Sequence, residues 1–251
     1  MSTQSSVSLL DEIRTRRLIR ISAHWDDTAA QYLDPATGEP AGLVGLVGQL
    51  LAEDLGVRVE FVELPWAEHL AALLAGRVDI SIKHTLTPQR AFEVEFTVHS
   101  LLCEEGRVVV RRNREWQDET DLNQAQRVIA GATSSSQEIH SRWRYPLAKL
   151  RIWPTAQEAL AAVALGEADA CLHDTLVPGF LRSHPECTVL TGADGQPVVP
   201  YRDCIHPCIR PGDPRLLNWL NSWLAFHRAD GTFERMVAEA EVAHEAKFGH
   251  K

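Results

Sequence analysis

Lys83 and His84 stand side by side behind an apolar run, and Arg90 follows shortly after in Thr85-Leu86-Thr87-Pro88-Gln89-Arg90. A guanidinium forks onto a carboxylate through two parallel charge-assisted hydrogen bonds, so an Arg beside a helix start is a candidate anion grip. The plain alternative is a surface Arg behind a helix-starting Pro. Cationic groups gathered in one short segment concentrate positive charge. They also lower Lys and His pKa values, which favours the neutral forms that can take up protons. Thr133 and Ser134 lie in Gly131-Ala132-Thr133-Ser134-Ser135-Ser136-Gln137-Glu138, which reads as a helix start. Free N–H groups there favour an anion, and the same residues serve equally as an ordinary Ser N-cap with Gln137 or Glu138 behind it. Asp174 sits just past the apolar run Cys171-Leu172, with His173 before it. It is placed either for a cleft carboxylate or for a helix N-cap. His206 is a further candidate, although any one His is more simply a satisfied structural residue. Trp25, Tyr32 and Trp66 are aromatic candidates for a pocket wall, and a Trp serves as readily in a core.

The rest of the composition narrows the field. The net charge of −9 lacks the basic footprint that nucleic-acid phosphates demand. The most apolar stretch, Gly42 to Leu51, is too short for a membrane span and is broken by Gln49. Five scattered cysteines, Cys103, Cys171, Cys187, Cys204 and Cys208, form no disulfide framework or zinc spacing, and are expected to be free thiols. No phosphate loop, nucleophile elbow or dinucleotide fingerprint is present, so no organic cofactor and no metal is expected. The opening Met-Ser-Thr-Gln-Ser-Ser shows no basic start followed by an apolar block. The expectation is therefore cytoplasmic, or periplasmic if a signal peptide has been removed.

Strands and helices alternate along the chain. Residues 17–22 alternate as a strand, Leu43 to Leu55 repeat at helical spacing up to Gly56, and 57–64 alternate again. A helix over 67–76 and a short strand over 78–82 follow. The second half repeats the order: a strand at 128–131, a helix near 137–143, a strand at 150–153, a helix over 156–165 and a strand at 169–172. In both halves a helix ends at Gly and an Asp leads into an apolar strand, at Gly76 and Asp79 and at Gly166 and Asp169. Two helices close the chain, Pro214 to His227 and Thr232 to about Lys247. The alternation predicts an α/β protein of two Rossmann-like lobes, each with a parallel sheet under covering helices. Segments 107–113 and 196–203 are the candidate joins. They make residues 1–109 with 200–251 one discontinuous lobe and 110–199 the other, with a ligand cleft between lobes of this type.

The order of these motifs resembles the amino-acid-binding family of periplasmic solute-binding proteins, of the type II or Venus-flytrap architecture with a two-segment hinge. The resemblance runs over nearly the whole chain. It rests on residues 9–22, 38–66, 76–100 (Gly-Arg-Val-Asp-Ile-Ser-Ile onward), 131–138, 158–176 and 209–236 taken in order. It implies that Arg90 grips the α-carboxylate of an amino acid, that Thr85, Thr133 and Ser134 add donors to it, and that Asp174 takes the α-ammonium. It implies an aromatic wall from Trp25, Tyr32 or Trp66, and a transporter permease as partner if the chain is exported. Lys83 and His84 stand where such proteins usually have small residues, which points to a more anionic ligand such as a dicarboxylate.

Cyclohexadienyl dehydratases share the fold, so an enzyme is the second reading: a cofactor-independent lyase or dehydratase using Lys83, His84 or His173 as acid–base groups. Those dehydratases carry a catalytic Glu three residues after the Asp matching Asp174, and here that position is Val177. Ligand identity and oligomeric state are not written in the sequence.

Overall fold

The computed structural model describes residues 7–112, 116 and 119–249. It divides into two compact units, Met1–Leu102 with Cys204–Lys251, and Cys103–Asp203. The first break therefore falls before 109, for a physical reason. Arg107–Arg111, expected to be a joining segment, is a strand with Val108, Val109 and Val110 buried, paired antiparallel to both Ala170–His173 and Cys187–Val189. Three consecutive buried valines belong to a central strand covered on both faces. Asn113, the end of that expected join, lies outside the described residues.

In the first unit, Leu18–Ala23 pairs in parallel with Arg58–Glu63, joined through the helix Gly42–Leu55. The helix stops where expected, with Gly56 at φ 67° as its left-handed cap. It lies close on its strand: a Cβ at Gly48 would sit 2.4 Å from the Phe61 ring. Ser81–Thr85 pairs antiparallel with Arg202–Ile209, which also carries Glu95–Phe96. This strand begins later than expected from 78–82, because Asp79 is engaged in a side-chain tie and only Ile80 bridges to Ile21. The expected helix over 67–76 is a 3₁₀ turn, Trp66–Glu68, followed by the helix His69–Leu74. The closing helices Pro214–Ala229 and Thr232–Phe248 send Leu216, Leu220, Leu224 and Phe233 into the core formed by Ile19, Ile21, Val47 and Leu51.

In the second unit the sheet order is Lys149–Trp153, Val128–Ala132, Ala170–His173, Arg107–Arg111, Cys187–Val189. The first three strands are parallel to one another. The helix Ala156–Leu165 opens with a Thr155–Glu158 capping box and ends at Gly166, φ 77°. The helix Ser136–Arg144 starts from a Ser135 cap.

The repeated Gly-x-x-Asp serves one structural purpose in both units. Asp79 is fully buried; it accepts the Arg20 N–H at 2.7 Å and pairs with the Arg16 and Arg20 guanidiniums. Asp169 accepts the Val128 N–H at 2.7 Å and pairs with Arg127. Asp79 thus ties the strand Leu18–Ala23 at Arg20, and Asp169 ties the strand Val128–Ala132 at its first residue.

Cysteine chemistry departs from the sequence expectation. Cys103 and Cys204 are disulfide-bonded. Cys171, Cys187 and Cys208 are free and buried, and burial pushes the Cys171 and Cys208 thiols up to about 12, which makes them inert.

Removing Asp79 strands two partly exposed arginines and one backbone donor. Asp79→Ala is expected to cost about 3 kcal/mol of unfolding free energy in urea titrations, and Asp169→Ala about 1–2 kcal/mol. Equal costs would contradict the difference in burial.

Candidate functional site

The chemistry-bearing segment of the first unit is built around the short helix Pro88–Ala91. Thr87 caps it, its hydroxyl accepting from the Arg90 N–H at 3.2 Å. The Arg90 guanidinium folds back and donates through Nη1 to the Thr85 carbonyl at 2.9 Å. One nitrogen is thereby anchored, and the side chain stays partly exposed. Thr85 is buried at the end of its strand, so the turn that presents Arg90 is fixed at both ends.

His84, two residues upstream of the turn, is 2% exposed, and neither ring nitrogen has a hydrogen-bond partner. Its ring lies 4.6 Å from Trp66 and 5.7 Å from His69, centroid to centroid. Burial, followed by the charges of Arg90, His69 and Lys83, holds its pKa well below the ordinary imidazole value. A ring with no accessible nitrogen is packed rather than poised for proton transfer, against its expected acid–base role. His69 behaves alike: its Nε2 donates to the Leu64 carbonyl at 3.2 Å, and burial lowers its pKa to about 4. Lys83 is half-buried on the same strand. His206 accepts no such part either, because its Nδ1 bonds the Thr97 carbonyl at 2.9 Å in a structural role.

The aromatic candidates separate. Trp66 covers His69 and His84. Trp25 is half-buried, edge-on to Phe61 at 5.8 Å. Tyr32 is 2% exposed and wedged against His244 and Phe248, so it belongs to the core and forms no wall.

In the second unit the helix Ser136–Arg144 begins as a regular N-terminus. The Ser135 hydroxyl accepts from the Glu138 N–H at 3.1 Å, and Ser134 turns the chain at φ 61°. Ser134 stays exposed there, while the Thr133 hydroxyl donates to the Trp153 carbonyl at 3.1 Å. Asp174 stands at the end of the central strand Ala170–His173. Its Oδ1 accepts from the Thr175 N–H at 2.6 Å and from the Thr175 hydroxyl at 3.2 Å. Its Oδ2 accepts from Gln137 Nε2 at 3.0 Å and Tyr201 Oη at 3.3 Å. It does not cap the next helix, whose N-cap is Leu176. His173 Nδ1 accepts the Asp174 N–H at 2.8 Å, which leaves the ring's proton on Nε2. Burial and then the Asp174 charge raise the Tyr201 pKa, so the phenol remains a donor.

Tyr201, and Gln137 in this role, are the contacts that sequence reading missed. Gln137 read as a cap and Tyr201 as part of a join; an aromatic hydroxyl among Val-Val-Pro was the available signal. Among the described residues no cluster of His, Cys, Asp or Glu is arranged to hold a metal ion.

Residues 19–239 match the family model of bacterial extracellular solute-binding proteins, family 3. The chain belongs to this family. A curated relative, the ABC transporter arginine-binding protein 1 of Escherichia coli (strain K12), is 26% identical over 152 residues, 60% of each chain. The match thus spans less than two thirds of that relative's length. Among solved structures, the ancestral amino acid-binding protein that is a precursor of cyclohexadienyl dehydratase aligns with a TM-score of 0.76 and 28% identity, covering 96% of this chain and all of that one. The cysteine-binding protein of Campylobacter jejuni shares the fold at a TM-score of 0.79 and 24% identity, covering 95% of this chain and 94% of that one. The type II solute-binding architecture expected from the motif order is therefore the observed one.

The packed histidines give the stability a pH signature. Unfolded rings take up protons near 6.5, whereas the folded rings do so only far lower, for His69 at about 4. Stability is therefore full above about 6.5 and falls as the solution is acidified below it. Urea midpoints measured at pH 7.5 and 5.0 are expected to drop for the native chain and to drop less in His84→Leu. That variant also removes an unsatisfied buried group and should be at least as stable at pH 7.5. A native midpoint unchanged at pH 5.0 would contradict the burial of both rings.

Proposed function

We propose that this member of the family captures a small amino acid, or a closely related carboxylate, and performs no chemistry on it. The carrying observation is the pair of opposite charges offered by buried strand ends. Arg90, on its capped turn, suits an α-carboxylate, and Asp174, held by Gln137, Tyr201 and Thr175, suits an α-ammonium. Thr85, Ser134 and Trp66 are the supporting positions, with Trp25 as a second wall. Thr133 commits both its hydroxyl and its backbone N–H to the Trp153 carbonyl, at 3.1 and 3.0 Å, so it is not counted among the donors to a ligand.

The lyase reading has less support. Val177 stands where the dehydratases carry their acid, and His84 is packed away from solvent. The relatives' amino-acid ligands and transporter setting support the binding reading, with a permease of an ABC transporter as the macromolecular partner. We also propose that the chain works in an oxidising compartment, outside the cytoplasm, because the bonded Cys103 and Cys204 are at home there.

Calorimetric titration with acidic, neutral and basic L-amino acids, followed by mass spectrometry of each mixture, tests the reading. Saturable binding with unchanged ligand is expected, weakened about thirtyfold or more in Arg90→Ala and in Asp174→Ala, the scale of an unpaired buried charge. Turnover of any ligand would replace the binder with an enzyme. For the compartment, protein isolated under alkylating conditions is expected to show free thiols only at Cys171, Cys187 and Cys208. Thiols at Cys103 and Cys204 in such material would sink the assignment.

A further inference from the structure

We propose that Asp203 is the positioning residue that sets the second unit's half of the ligand site, acting through the helix Ser136–Arg144 and Tyr201. The proposal rests on the amino-acid-binding reading above. Asp203 is 2% exposed and belongs to no catalytic or binding motif visible in the sequence. Its Oδ2 accepts from the Ser136 hydroxyl at 2.6 Å, and its Oδ1 bonds His140 Nε2 at 2.6 Å. A carboxylate at this site accepts only, so His140 carries its proton on Nε2.

Ser136 and His140 stand one turn apart on the same helix face. Two bonds, one to each oxygen of a single buried carboxylate, stop the helix from turning about its axis. Gln137 follows Ser136 directly, and its amide reaches Asp174 at 3.0 Å. The His140 ring, in turn, stacks on Tyr201 at 4.2 Å with an interplanar angle of 3°. Tyr201 also lies against Gly106, where a Cβ would come within 2.3 Å of the ring. Its hydroxyl reaches the same Asp174 oxygen at 3.3 Å. Gln137 and Tyr201, two donors to Asp174 Oδ2, are therefore placed by groups tied to Asp203. Asp203 touches no ligand in this scheme. It fixes the direction in which the Asp174 carboxylate faces an ammonium.

The test compares D203N, H140L and H140Q; the last restores a donor near the Nε2 position. Each is titrated with L-glutamate, L-glutamine and L-arginine and with the carboxylic acids lacking only their α-amino groups. Hydrogen exchange of the 136–144 amides is followed without ligand. D203N and H140L are expected to bind the amino acid about ten- to a hundredfold more weakly, the scale of one charge-assisted hydrogen bond. The des-amino acids should change much less, the helix amides should exchange faster, and H140Q should recover most of the loss. Equal weakening for both ligand classes would reduce Asp203 to a general structural role and overturn the proposal. Native-like exchange in D203N and H140L would overturn it too, and this arm decides even if the native chain binds none of the amino acids, an outcome that sinks only the binding reading. If D203N does not fold, the H140L and H140Q pair decides.

Discussion

A carboxylate removed from water must be met by donors, and this requirement organises both units. A buried acid left unsatisfied costs more than most single contacts contribute, so each one dictates which backbone and side-chain groups gather around it. Asp79 and Asp169 each gather a sheet-strand N–H together with arginines. Asp203 gathers a serine and a histidine from one helix. Asp174 gathers an amide, a phenol and its neighbour Thr175. The first two tie strands of their sheets to neighbouring arginines, and the last two are linked through Gln137, Tyr201 and the helix Ser136–Arg144.

The same demand explains the division between fully packed and partly exposed polar residues. Burial keeps His84 and His69 neutral, which removes them from proton chemistry. Arg90 cannot be neutralised, and it folds one nitrogen onto the Thr85 carbonyl while staying half-exposed. Lys83, His84 and Arg90 are close in sequence, yet they answer to different physical constraints. Proximity of residue types alone would have assigned them a common task.

The local grammar of the chain determined a good deal. The helices over Gly42–Leu55 and Ala156–Leu165, with their glycine caps, follow from 3.6-residue periodicity and from the ease with which Gly adopts positive φ. The strand and helix alternation fixed the α/β class, and the motif order fixed the family, because those features depend on neighbours in sequence. Arg90 on a Thr-Pro turn and Asp174 past an apolar strand were legible for the same reason: each is presented by its own local element.

Tertiary structure alone decided what depends on distant partners. Nothing local marks Arg107–Arg111 as a central strand; its burial comes from strands at 170–173 and 187–189. Tyr32 looked like a wall and is core because the chain's last helix lies on it. Tyr201 gained its place from Gly106 and His140, and Asp203 from Ser136 and His140. The cysteines read alike in sequence, and only folding separated the bonded Cys103 and Cys204 from the buried thiols. Residue type and spacing encode what a segment can do by itself, whereas burial and hydrogen-bond partners arise from contacts between segments that periodicity does not register.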